Sequence, residues 1–197
     1  QGQGVIVAVI DTGVDYNHED LWDNIWVNPA VVSDVNKDGK INLDDCDINH
    51  NHTIEANEIK NNMFGWDFAN KDNNPMDGYG HGTHVAGTIA AVGNNNLGVI
   101  GVAPKAKIIA IKGLDDNGSG YISALANCIK YAADNKATVL NNSWGGLGRF
   151  YLIEDAVNYA YSKKCVILAA AGNYDLDVKF FSPANIALCK YWGKRNQ

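Results

Sequence analysis

The chain has 197 residues, 46% of them apolar, and a formal net charge of −6 at neutral pH. This length and composition allow one domain with a sizeable core, and the acidic balance argues against nucleic acid as a partner and favours cations. No apolar run is long enough to span a membrane, and no signal peptide precedes the first strand-like run. The cysteines are too sparse for a disulfide scaffold and lack CxxC spacing, so they leave the compartment open; they are Cys46, Cys128, Cys165 and Cys189.

Buried strands are predicted at four places. The run from Val5 to Ile10 is apolar throughout, which is typical of a strand buried on both faces of a parallel sheet. Further apolar runs lie at residues 107–112, 138–142 and 165–170. Amphipathic helical patterns separate the later strands, one from Ile122 to Ala133 and one from Tyr151 to Ser162. This alternation predicts an α/β fold with a doubly wound parallel sheet.

The segment GYGHGTHVAGTIAA, residues 78–91, predicts a helix with an imidazole at its start. His81 falls in the first turn, beside unpaired backbone N–H groups and the positive end of the helix dipole. Glycine inside a helix costs about 1 kcal/mol relative to alanine, so the small residues must serve another purpose. We expect them to let neighbouring backbone pack closely; they are Ala86, Gly87, Ala90 and Ala91.

Several polar segments directly follow predicted strands. Asp11, residues 118–120, Ser143 and Asn173 all occupy such positions. Because ligands bind outside the carboxyl ends of parallel strands, we expect these segments at one edge of the sheet, facing a ligand. Asp11 lies within Asp-Thr-Gly, which by itself is more typical of a turn or a helix cap than of a functional site, so a functional role for Asp11 requires a partner elsewhere in the chain.

Residues 34–58 form an acidic insertion with two matches to the EF-hand loop pattern, in which alternating oxygen ligands wrap one calcium ion. The predicted ligands of the first loop are Asp34, Asn36, Asp38, Lys40 through its carbonyl, Asn42 and Asp45. Gly39 takes the turn position, and aspartate at the last position resembles dockerin-type loops.

The second loop follows at once and matches less well, because His52 replaces the turn glycine. Its predicted ligands are Asp47, Asn49, Asn51 and Glu58. Only Cys46 separates the two loops, which leaves no room for EF-hand helices, so we predict an inserted calcium-binding segment instead of a calcium sensor. The alternative is a solvated Asn- and Asp-rich surface loop that holds no ion.

Four motifs, in this order, resemble the subtilisin-like serine proteases, or subtilases. They are IDTG at residues 10–13, HGTHVAGT at 81–88, SWGG at 143–146 and AAAGN at 169–173. The resemblance extends from about Val5 to about Pro183. It implies a three-layer sheet of the subtilisin type and a secreted, calcium-stabilised endopeptidase that acts on protein or peptide substrates.

The resemblance also implies a role for each matching residue. Asp11 would orient the imidazole, His81 would be the general base, and Asn173 would stabilise the oxyanion. Two segments would bind the substrate backbone as added strands; they consist of Gly118, Ser119 and Gly120, and of Ser143, Trp144, Gly145 and Gly146. A further calcium site would comprise Asp20, Val92, Asn94, Leu97 and Val99, with Asn95 as the alternative to Asn94.

The sequence departs from the subtilases after Pro183. In that family the nucleophile lies in a GTSMA-like segment that opens a long buried helix, and no run of these 197 residues matches it. We therefore expect a single partial catalytic domain, with residues 184–197 a divergent tail lacking the family's apolar strand. A C-terminal segment or a pro-segment is a candidate partner.

Without a nucleophile, we expect no normal protease activity from this polypeptide alone. Two other classes of function stay open. One is a non-catalytic, calcium-binding remnant of a protease, and the other is a calcium-regulated interaction module built on the insertion.

Overall fold

The computed structural model describes residues 1–187 and 190–192. Its main sheet is parallel throughout. The strands of this sheet are β1 (Ile6–Asp11), β2 (Gly65–Asp67), β3 (Lys107–Lys112), β4 (Val139–Asn142), β6 (Val166–Ala170) and β8 (Lys190–Trp192). A small antiparallel pair is formed by β5 (Gly146–Leu147) and β7 (Phe181–Ser182).

The helices of the described residues follow the predicted pattern. They are α1 (His81–Ala90), α2 (Ile122–Asp134) and α3 (Tyr151–Ser162), with 3-10 turns at Trp22–Asn24, Leu43–Asp45 and Val178–Phe180. The sheet order is β2-β3-β1-β4-β6-β8, which puts β1 between β3 and β4. Strands β1, β4 and β6 each begin one residue later than predicted. None of the helices in this part of the chain is long and apolar enough to cross a membrane.

Side chains alternate between the two faces of the sheet along each strand, and a hydrophobic core covers each face. Ala8 and Ile10 of β1 belong to the core formed with α2 and α3. Val7 and Val9 belong to a second core on the opposite face, formed with α1. The predicted three-layer, doubly wound α/β architecture is therefore confirmed.

Two short strands at the edges of the sheet were not predicted. β2 and β8 have three residues each, too few for an alternation pattern to be recognised in the sequence. β8 pairs in parallel with β6, so the expectation that the tail lacks a strand is wrong for residues 190–192. The rest of that expectation, for residues 188–189 and 193–197, lies outside the described residues.

The insertion packs onto the α1 face of the domain. Leu43, Cys46 and Ile54 are almost completely buried in the same core as Val7 and Val9. Ile54 also exchanges two backbone hydrogen bonds with the Asn17 side chain, at 2.8 and 3.1 Å. The His52 ring lies against Trp22, with 4.0 Å between centroids. Residues 34–58 therefore share the core of the domain and are not a separate unit.

Candidate active site

The predicted site segments lie at the carboxyl edge of the sheet. Asp11 ends β1, residues 118–120 follow β3, Ser143 follows β4 and Asn173 follows β6. Because these strands are parallel, their carboxyl ends point the same way. Asn173 is exposed there.

Asp11 and His81 are in direct contact, although 70 positions separate them in the sequence. Asp11 Oδ1 lies 2.7 Å from His81 Nδ1. The Asp11 side chain is fully buried, whereas the His81 side chain is 46% exposed. A carboxylate at Nδ1 makes this nitrogen the hydrogen-bond donor and leaves Nε2 as the acceptor on the imidazole.

The pKa of Asp11 is raised by burial, which disfavours the charged carboxylate. The hydrogen bonds from His81 and from the Thr12 N–H oppose this rise without cancelling it. The Thr12 N–H lies 2.8 Å from the same oxygen, Oδ1, that contacts His81. Asp11 Oδ2 is buried and has no hydrogen-bond partner among the described residues.

Helix α1 reaches Asp11 because its second residue is glycine. A Cβ atom on Gly82 would overlap the carbonyl oxygen of Gly13 and lie 3.1 Å from the Asp11 Cβ. The helix therefore approaches the turn after β1 at backbone distance. The close packing that we expected at the small residues later in the helix is found at Ala90 and Ala91, because a Cβ atom on Gly101 would lie 2.5 Å from the backbone nitrogen of each. The expectation is wrong for Gly87, however, where an added Cβ would meet nothing within 4 Å.

Two residues around the Asp11–His81 contact, Asp77 and Lys112, were missed by the sequence reasoning. Asp77 accepts a hydrogen bond from the Thr12 hydroxyl at 2.8 Å. Buried Lys112 donates to the Thr12 carbonyl at 2.7 Å and to Asp116 Oδ1 at 2.5 Å. Their sequence signals are weak: a lysine ending an apolar strand, and an aspartate four positions before a helical histidine.

The two segments proposed to bind substrate have different surroundings. Residues 118–120 are exposed, and the Tyr79 ring lies beside Gly118. In the other segment, Trp144 is buried and Gly146 already pairs with Ser182 in the β5–β7 ladder. Any added strand along residues 143–146 would therefore have to use backbone groups outside this ladder.

Within the described residues, neither Ser143 nor Ser182 is hydrogen bonded to His81. The Ser143 hydroxyl accepts a hydrogen bond from the Asn141 side chain at 2.8 Å. Ser182 is fully buried in β7, and its hydroxyl has no hydrogen-bond partner within the described residues. Neither position takes the place of a nucleophile.

The two loops of the insertion have the same internal hydrogen bonds. In the first, Asp34 accepts from the N–H groups of Asp38 and Gly39, and Asp45 accepts from those of Val35 and Asn42. In the second, Asp47 accepts from Asn51 and His52, and Glu58 accepts from Ile48 and Glu55. His52 has a φ of 62°, in the same left-handed region as Gly39 at 85°. The missing turn glycine therefore does not change the course of the second loop.

The donor set of each loop fits calcium better than a transition metal, since it consists of oxygen atoms. No three His, Cys, Asp or Glu side chains come together as a metal-binding cluster in the part of the chain that is described. Carboxylates alone would thus not complete a site. The first loop would also need the amide oxygens of Asn36 and Asn42 and the Lys40 carbonyl.

At the other proposed calcium site, the structure brings Asn95 to Asp20 instead of Asn94. Asp20 is 3% exposed, and its Oδ1 accepts from the Asn95 side chain at 2.7 Å. The Val92 N–H donates to the Asp20 carbonyl, and the Val99 N–H lies 3.4 Å from Asp20 Oδ2. Asn94 is exposed, with a left-handed φ of 64°, so of the two candidate asparagines it is Asn95 that is hydrogen bonded to Asp20.

The sheet and the Asp11–His81 contact together define an α/β domain with an acid–imidazole pair at its carboxyl edge. The sequence model of the Subtilase family matches residues 2–190. The chain therefore belongs to the subtilases, and the resemblance of its motifs to that family is confirmed.

Individual relatives agree with this assignment. Thermitase from Thermoactinomyces vulgaris is 40% identical over 173 residues, which cover 88% of this chain and 49% of thermitase. A thermophilic serine proteinase from Bacillus sp. (strain AK1) is 43% identical over 170 residues, covering 86% of this chain and 33% of the relative. The solved structure of sphericase superposes with a TM-score of 0.73 at 33% identity, over 96% of this chain and 53% of sphericase. The chain thus spans about half the length of these relatives, or less.

Proposed function

We propose that this chain is the Asp- and His-bearing part of a serine endopeptidase that hydrolyses peptide bonds with an Asp-His-Ser triad. The contact of 2.7 Å between Asp11 and His81 carries the proposal. Asp11 would hold the imidazole in the tautomer with Nδ1–H, so that Nε2 could take the proton of a serine hydroxyl. Exposure of His81 at the carboxyl edge leaves that nitrogen within reach of a nucleophile and a substrate.

The other roles in the proposal follow the family motifs. Asn173 would donate to the oxyanion of the tetrahedral intermediate, and residues 118–120 and 143–146 would align the substrate backbone. The nucleophile would come from a GTSMA-like segment, which these 197 residues do not contain. We therefore propose that the 197-residue polypeptide alone does not hydrolyse proteins, and that the complete enzyme acts outside the cell.

Two assays test this proposal. The 197-residue chain should neither hydrolyse casein nor react with a fluorophosphonate that labels active-site serines. A chimera that adds the complementary C-terminal half of thermitase should hydrolyse casein, and His81→Ala in that chimera should lower kcat/KM by about 10²–10⁴-fold. Hydrolysis and serine labelling by the chain alone, or a chimera indifferent to His81→Ala, would contradict it.

We also propose that calcium binds the insertion and the Asp20 site and stabilises the domain. In the insertion, the ligands would be Asp34, Asn36, Asp38, Lys40, Asn42 and Asp45 in the first loop, and Asp47, Asn49, Asn51 and Glu58 in the second. At the Asp20 site they would be Asp20, Asn95 and the backbone of Val92, Leu97 and Val99. The matching hydrogen bonds of the two loops support this proposal, because both loops follow one backbone course around their oxygen atoms.

Isothermal titration with calcium tests the insertion. Asp34→Ala with Asp38→Ala should remove one binding event, whereas Asp155→Ala, on the exposed face of α3, should leave the isotherm unchanged. Identical isotherms for all three proteins would exclude the first loop as a site. Calcium binding combined with an inactive chimera would instead favour a non-catalytic calcium-binding remnant.

A further inference from the structure

Asp77 lies in the loop before α1, and its carboxylate accepts five hydrogen bonds. Among the described residues, no other side chain of the site accepts as many. Oδ1 accepts from the Thr12 hydroxyl at 2.8 Å and from the N–H groups of Tyr79 at 3.0 Å and Gly80 at 2.8 Å. Oδ2 accepts from the N–H of Thr83 at 2.9 Å and from its hydroxyl at 2.6 Å. Burial would raise the pKa of Asp77, but these hydrogen bonds outweigh it and hold the pKa below its ordinary value.

Some of these bonds make Asp77 the cap of α1. The residue at the N-cap position is Gly80, which has no side chain to bind the free N–H groups at the start of the helix. The Asp77 carboxylate satisfies the Thr83 N–H in its place and puts a negative charge at the positive end of the helix dipole. His81 is the first residue of that helix, so the cap bears directly on where the imidazole lies.

The bond from the Thr12 hydroxyl connects Asp77 to Asp11, the other member of the Asp11–His81 pair. The Thr12 hydroxyl donates to Asp77 and accepts from the Gly82 N–H at 3.0 Å, while the Thr12 N–H donates to Asp11 Oδ1. The hydrogen bonds thus run from Asp11 through Thr12 to Asp77, and from Asp77 into the helix that begins with His81. Thr12 is 1% exposed, so water does not compete for this link.

We propose that Asp77 is a positioning residue that holds Asp11 and His81 at hydrogen-bonding distance through Thr12 and the first turn of α1. The inference rests on the proposed role of Asp11 and His81 as the proton-accepting pair of the protease. Among the described residues, Asp77 is hydrogen bonded to neither the imidazole nor the Asp11 carboxylate, and it acts on both through the elements that carry them.

The test uses proton NMR on the 197-residue chain and follows the exchange of the His81 Nδ1–H with water. In Asp77→Asn, one oxygen becomes an NH2 group that cannot accept, so either the Thr12 bond or the Thr83 bonds are lost. Exchange should become about tenfold faster, the loss expected for one hydrogen bond to a charged group. Asp72→Asn is the matched control, since the exposed Asp72 side chain accepts one hydrogen bond within the described part of the chain, from the Asn74 N–H in the same loop.

Two substitutions at Thr12 test whether Asp77 positions the Asp11–His81 pair or only caps α1. Thr12→Val removes the bond to Asp77 and also the acceptor of the Gly82 N–H. The bonds of Asp77 to Thr83 stay in place, and Thr12→Ser keeps the hydroxyl. We expect Thr12→Val to accelerate exchange at least as much as Asp77→Asn and Thr12→Ser to keep the wild-type rate. If Asp77→Asn does not fold, wild-type exchange in Thr12→Val still overturns the inference. If Asp77→Asn lowers the free energy of unfolding without changing the exchange rate, or if the two Thr12 variants behave alike, Asp77 is only a helix cap and the inference is overturned.

The measurement is independent of peptide hydrolysis, so its result does not depend on the protease proposal. If the chimera is inactive but Asp77→Asn still accelerates exchange of the His81 Nδ1–H, only the proposed activity is rejected. Hydrolysis by the chimera with no effect of Asp77→Asn would reject the positioning role alone.

Discussion

At the scale of single residues, Asp11 is a carboxylic acid whose buried environment disfavours its charged form. Its side chain is inaccessible to water, and only one of its two oxygens is hydrogen bonded within the described residues. Burial accordingly raises its pKa. In the role proposed for it, Asp11 would have to be charged, and its burial would then lower the stability of the fold.

The pH dependence of stability should reveal this cost. Because the pKa of Asp11 is raised on folding above its ordinary value of 3.8, wild-type stability falls as pH rises from that value through the folded-state pKa. Asp11→Asn has no such charge and keeps an acceptor for His81. We expect this variant to be more stable than the wild type at pH 7, with an advantage that shrinks on acidification and vanishes below about pH 3.8.

Urea unfolding of both proteins over a series of pH values measures the difference. Asp155→Asn, which removes one charge from the exposed face of α3, controls for the change in net charge. An advantage of the Asp11→Asn variant that stayed constant with pH would show that the raised pKa of Asp11 is not its source.

At the scale of elements, α1 contains two glycines with opposite surroundings. Gly82 lies against the turn that follows β1, and no larger residue fits there. Gly87 borders an open cleft of about 420 Å³ between α1 and the segments around Asp20 and Gly98. The helix is therefore seated closely at its first turn and loosely in its second half on that side.

Alanine at each glycine should change stability in opposite directions. Gly82→Ala forces the helix away from Gly13 and should lower the free energy of unfolding by about 1–3 kcal/mol. Gly87→Ala adds a methyl group in open space and lowers the entropy of the unfolded chain, which should raise it by about 0.5–1 kcal/mol. Urea unfolding followed by circular dichroism measures both, and equal changes in the two variants would contradict the packing described here.

At the scale of the whole molecule, the sheet is most strongly supported at its centre. β1 is hydrogen bonded on both sides, to β3 over six residue pairs and to β4 over four. It is also covered by a core on each face. β2 and β8 have three residues each and lie at the two ends of the strand order.

The rates of backbone amide hydrogen exchange should differ between the central strands and the edge strands of the sheet. We expect the amides of β1 and β3 to exchange most slowly and those of β2 to exchange much faster, because short edge strands open without loss of the core. Mass spectrometry of peptic fragments after deuterium labelling measures the rates. Equal protection of β1 and β2 would indicate that the sheet opens only as a unit.

Local patterns in the sequence were enough to identify the main helices and strands and the family of this protein. Helical spacing located α3 to the residue, because 12 positions with a strong period leave little ambiguity. The apolar run of six residues located β3 equally well. The Asp-Thr-Gly and His-Gly-Thr-His motifs indicated Asp11 and His81 through their order along the chain. Spacing within the insertion likewise indicated two oxygen-rich loops.

The tertiary structure alone decided which side chains meet. The 2.7 Å contact of Asp11 with His81, the place of Asn95 on Asp20, and the bonds of Asp77 to both Thr12 and α1 join residues far apart in sequence. Short strands such as β2 and β8 form only because a neighbouring strand already offers its backbone groups. Local patterns contain no information about these contacts, since they depend on how the sheet brings separate strand ends and helix termini to one edge.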